Sequence, residues 1–117
     1  MKVNILGTEY TIEYVKIKET EELLKNGFAG SCSNVLPKIL VADCTEEEFV
    51  GKLTEEEREM LKKKITRHEI IHAFLNESGL QISSSGCEAW ADNEEMVDWF
   101  AIQSPKIFKA FKDVGCI

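Results

Sequence analysis

Arg67-His68-Glu69-Ile70-Ile71-His72-Ala73-Phe74-Leu75 is the stretch on which the reading of this chain turns. It sits inside a longer helical pattern over residues 54–78. That pattern opens with a capping box, Thr54 as N-cap and Glu57 three residues on, and Gly79 follows it as a C′ residue. Residues four apart lie nearly above one another on a helix, so His68 and His72 present two imidazoles to one point. Glu69 stands about 100° round the helix, at ~3.6 residues per turn, beside that point rather than under it. Zinc suits such a set, since it accepts His and carboxylate ligands and leaves a fourth position to water, whose pKa falls to ~7. Glu69 is then placed to take that water's proton without ligating. The competing reading is a structural pair, because both histidines share the helix's apolar side with Leu61, Ile65 and Leu75. Against it, they are the only 2 histidines in 117 residues.

The length suits one domain with a single core. Fourteen basic against 21 acidic residues give a formal charge of −7. That argues against a general nucleic-acid or anionic-membrane binder, whose phosphate contacts need clustered Lys and Arg. The one basic run, Lys62-Lys63-Lys64, reads as a solvated helix face. No apolar run approaches the ~20 residues of a membrane span. Residues 1–6 are too short for a signal peptide and run straight into Gly7-Thr8-Glu9. The expectation is a cytoplasmic protein with Cys32, Cys44, Cys87 and Cys116 reduced. None of them forms a C-x-x-C pair, and Cys32 and Cys44 are spaced too widely to join the histidines in a finger-type site.

Outward from the helix, residues 3–6 and 10–17 read as two strands joined by a tight turn at Gly7-Thr8. The period-two alternation of the second slips once, which leaves a bulge or a strand end open. Residues 20–26 form a short helix closed by Gly27. Residues 28–37 are Gly/Ser/Asn-rich, hence a loop or an irregular hairpin, and 38–43 is a short apolar strand. Residues 45–50 make one helical turn ended by Gly51, and 80–87 a flexible loop. Asp92 with Glu95 makes a second capping box, opening a helix to about residue 103. Ser104-Pro105 then starts a last helix, with Pro at its first position, ended by Gly115. Strands first and helices after predict an α+β fold: a small antiparallel or mixed N-terminal sheet on the central helix, followed by two C-terminal helices.

Two histidines do not complete a catalytic zinc site; three protein ligands are expected. With no third His, the ligand is a carboxylate or a thiolate: Glu94, Glu95 or Cys87. Glu94 and Asp98 lie four apart within an apolar stripe shared with Trp90, Val97 and Ala101, a costly place for two acids unless both are paired or bind an ion. Glu94 as ligand, with Asp98 accepting the N–H of a ligating histidine, satisfies both. An N-terminal first turn that favours acids accounts for Glu94 and Glu95, but poorly for Asp98 in mid-helix.

His68-Glu69-Ile70-Ile71-His72 followed by Glu94-Glu95-Met96-Val97-Asp98 resembles the gluzincin pattern, His-Glu-x-x-His with a downstream Glu-x-x-x-Asp. With Trp99-Phe100-Ala101 after it, the segment looks most like the ImmA/IrrE-type metallopeptidases found in phage and mobile-element genomes. The resemblance covers residues 67–101, about a third of the chain. It implies a minimal zincin-like domain, His68, His72 and Glu94 as Zn2+ ligands, and Glu69 as general base. It further implies residues 39–42 as the edge strand along which a peptide lies, and a regulator of repressor type as the protein substrate. Tyr10 and Tyr14 are the remaining candidates to stabilise an oxyanion. A reading from another class is a metal-stabilised interaction module that binds a partner through a sheet edge or through Trp90 and Trp99.

Overall fold

The computed structural model describes residues 1–83, 91, 93–113 and 116–117. The chain opens with a hairpin of β1 (Lys2–Ile5) and β2 (Thr8–Val15), paired antiparallel with Ile5 opposite Thr8. Leu6 and Gly7 form the two-residue loop, both at positive φ (50° and 98°), as a turn matched to the strands' twist requires. β2 stops at Val15 and a 3-10 turn, Ile17–Glu19, follows, so the slip in alternation marks a strand end rather than a bulge. The buried Glu46 carboxylate accepts the Ile17 and Lys18 N–H groups at 3.2 and 2.8 Å and holds that turn. Next come α1 (Glu21–Asn26), closed by Gly27 at φ 67°, then β3 (Gly30–Cys32), β4 (Lys38–Ala42) and α2 (Glu47–Val50). α3 (Glu55–Glu77) carries the expected capping box of Thr54 and Glu57. α4 (Leu80–Ser83) and α5 (Glu94–Asp113) complete the described elements.

The strands form one mixed sheet in the order β1-β2-β4-β3, with β4 parallel to β2 and antiparallel to β3. The fold is therefore α+β. β4 lies inside the sheet, which corrects the expectation that residues 39–42 form its edge. Ile39, Leu40, Val41 and Ala42 are all buried, and an unbroken apolar run of this kind wants neighbours and cover on both sides. The edge beside it is β3, the irregular-hairpin option for residues 28–37.

α3 is central, packed between the sheet and α5. Its Ile65, Glu69 and Ala73, each four apart, are buried; Ile65 and Ala73 join Ile5, Tyr10, Ile12, Ile39 and Val41 in the main core. On the other side Leu75 packs with Ala91 and Val97.

Three expectations about the C-terminal half change. The loop from residue 80 begins as the helical turn α4, and its remainder lies outside the described residues. Asp92 also lies outside them; α5 is capped by Asn93, whose Oδ1 accepts the Met96 N–H at 2.9 Å while its carbonyl accepts that of Val97 at 3.1 Å. The two C-terminal helices are one: α5 runs unbroken through Pro105. Proline removes the N–H that would serve the carbonyl four residues back, at Ala101. Here the Arg67 guanidinium of α3 donates to that carbonyl through Nε, so the helix continues. Among the described residues, no helix is long and apolar enough to cross a membrane.

Candidate metal centre

The i, i+4 spacing on α3 sets the two imidazoles edge to face, with ring centroids 4.7 Å apart. Their Nε2 atoms approach to 3.0 Å. Glu94, the first residue of α5, places Oε2 3.1 Å from His68 Nε2 and Oε1 3.1 Å from His72 Nε2. Asp98, one turn further along α5, accepts the His68 Nδ1–H at 2.9 Å. That bond fixes the tautomer and leaves the His68 Nε2 lone pair turned towards His72 and Glu94.

A cation fits this arrangement. Two imidazole nitrogens and a carboxylate crowd one point, and one donor atom from each of His68, His72 and Glu94 lies within 4.8 Å of the others. In a tetrahedral zinc site with bonds of ~2.0–2.1 Å, neighbouring ligand atoms stand about 3.4 Å apart. The observed separations fall just short of that, so small adjustments would admit the ion. Among the described residues this is the group able to hold a metal. Glu95 borders a different hollow with Asn93, Met96 and Trp99, and Cys87 lies outside the described residues. Of the two cysteines weighed for a mixed site, Cys44 is buried in the main core. Cys32 does reach the centre's cavity, yet burial, then the nearby Glu69 and Glu77 carboxylates, push its thiol up to about 12. In the metal-free protein it is a neutral S–H on the cavity wall.

The centre opens into a cavity of about 560 Å³. Gly30, Ser31 and Cys32 of β3 line one side, Lys64, Ile65, His68, Glu69 and His72 of α3 the floor, and Glu94 and Asp98 of α5 the far side. Glu69 belongs to the buried row of α3 and is only 5% exposed, at the seam between the sheet and the imidazoles. Burial, with the Glu94 charge adding and neighbouring His68 opposing, raises its carboxyl to about 7. A carboxyl so poised exchanges protons readily near neutrality. Tyr10 and Tyr14 do not line the cavity. The Tyr10 hydroxyl donates to Glu77 at 2.9 Å, and that of Tyr14 meets Thr66 Oγ1 at 3.2 Å.

Gly30 is the residue whose importance the sequence did not show. A Cβ there would stand 2.6 Å from Glu69 Oε1 and 2.8 Å from Ile65 Cγ2. Only a glycine lets β3 run this close over α3, and an isolated Gly in a strand is the signal for such an approach. Gly30→Ala is expected to push β3 or the Glu69 side chain aside and to cost about 1–3 kcal/mol, as overpacking does. Urea denaturation of the metal-free protein measures it; an unchanged midpoint would show that β3 does not press on Glu69.

Compared with known proteins, the chain matches no family model, no curated protein and no solved structure.

Proposed function

We propose that this protein is a zinc-dependent peptidase of zincin-like design, with His68, His72 and Glu94 as ligands and Glu69 as general base. One observation carries the reading: the three donors converge beside a cavity that also holds the buried Glu69 carboxyl. A purely structural metal site needs no such group beside it. When bound, zinc supplies a Lewis-acid centre and makes water more acidic. Glu69 accepts the proton of the water that attacks the scissile carbonyl, then passes it to the leaving amine as the C–N bond breaks. The water's oxygen remains in the new carboxyl group. Asp98 holds the His68 ring by its Nδ1–H throughout.

β3, at the sheet edge and on the cavity wall, is where an extended peptide would pair through its main chain, in the place first expected of residues 39–42. The cavity admits a segment of chain rather than a folded surface, which favours a loosely structured region of one protein, such as a regulator, over general digestion.

Incubating the zinc-loaded protein with a tethered peptide library tests the proposal. Cleavage of some members is expected, abolished by a chelator and restored by zinc. A protein that holds stoichiometric zinc and cleaves no member would instead be a metal-stabilised interaction module.

A further inference from the structure

We infer that Arg67 is a positioning residue for the metal centre: by taking the carbonyl that Pro105 leaves open, it sets the register of α5 against α3. Three contacts tie these helices in antiparallel order. Arg67 Nε–H meets the Ala101 carbonyl, His68 Nδ1–H meets Asp98, and the Nε2 atoms of His68 and His72 meet Glu94. Glu94, Asp98 and Ala101 follow one another along the same face of α5 at helical spacing. The position of any one of them on α3 therefore fixes the other two.

The first contact differs in kind from the rest. It joins a rigid guanidinium fork to a main-chain carbonyl, whereas the others join two side chains that can each turn away. Ala101 is fully buried, so its carbonyl has no water to turn to. Pro105 withholds the helix's own donor from that carbonyl. The demand for an outside donor is thus built into α5, and it is met by the residue immediately before His68. An arginine that merely filled a hydrogen-bonding vacancy would have the same contact but no effect on the ligands, and the two roles separate experimentally.

Arg67→Ala, Pro105→Ala and the double variant make the test. Three measurements apply to each: thermal melting of the chelated protein, the His68 Nδ1–H resonance in 1H–15N spectra, and zinc affinity by chelator competition. Arg67→Ala is expected to lower the melting temperature, to broaden or lose the His68 Nδ1–H signal, and to weaken zinc by at least ~10-fold. In the double variant, residue 105 regains an N–H for the Ala101 carbonyl. Stability should then return, while the resonance and the affinity stay impaired because the cross-helix tie is gone. If Arg67→Ala alone does not fold, the double variant carries the test. A double variant with a parent-like resonance and parent-like affinity would overturn the inference and leave Arg67 as a carbonyl partner only. The affinity measurement rests on the zinc reading. A parent that binds no zinc would refute that reading, while the resonance would still decide the role of Arg67.

Discussion

Glu69→Gln is expected to bind zinc like the parent and to lose peptide cleavage by at least the ~10²–10⁴-fold that general acid–base catalysis supplies. The amide keeps the side chain's size under Gly30, where a larger group would not fit, so the fold and the ligand set stay as they are. It cannot accept a proton at neutral pH, so the step that Glu69 performs is lost. A second signature distinguishes this variant without any substrate. Burial raises the Glu69 carboxyl to about 7, so in the metal-free protein the folded chain retains a proton that the unfolded chain releases above the ordinary value of 4.5. Its contribution is complete below pH ~4.5, falls as pH rises and is lost by about 7. Metal-free Glu69→Gln should therefore melt above the parent at pH 8, with the gap narrowing at pH 5. Cleavage at the parent's rate by the zinc-loaded variant would refute the assignment of Glu69 as base.

His72→Ala should fail differently, losing zinc and cleavage together. One imidazole and one carboxylate remain at the centre, too few to hold the ion against water. Because metal binding is coupled to folding, the zinc-dependent rise in melting temperature should disappear with it. Titration with zinc while following melting checks this. A variant that keeps the parent's zinc-dependent shift would place the ion elsewhere in the molecule.

The clustering of His68, His72 and Glu94 was legible in the sequence because much of its geometry is local. His68 and His72 are brought together by helix periodicity alone, and the Glu94/Asp98 spacing works in the same way on α5. What joins the two helices is not local: the Glu94/Asp98 spacing suggests that Asp98 accepts from one of the two histidines, and the structure identifies that histidine as His68. Both acids are about half-exposed or more rather than sunk in an apolar face. Two of the misreadings, at Pro105 and Gly30, share a physical cause: contacts distant in sequence overrode local rules. Pro105 ordinarily starts or ends a helix, but a guanidinium from α3 supplies the donor its helix lacks. Residues 39–42 form an unbroken apolar run that suits an interior strand; the resemblance implies an edge there, and the pairing of β4 with both β2 and β3 makes them interior. Gly30 is not set apart within the loop or irregular hairpin read over 28–37, because its role depends on Glu69, 39 positions further along the chain. Asn93 and Asp92 are both good caps, and choosing between neighbours at a helix end lies within the usual uncertainty of one or two residues.

Zinc K-edge X-ray absorption on the protein loaded with one equivalent of zinc tests the central claim most directly. His68, His72 and Glu94 predict a first shell of nitrogen and oxygen only, at ~2.0–2.2 Å, with the outer-ring scattering of two imidazoles. A sulfur scatterer at ~2.3 Å, the scattering of fewer than two imidazoles, or a protein that retains no zinc would contradict it.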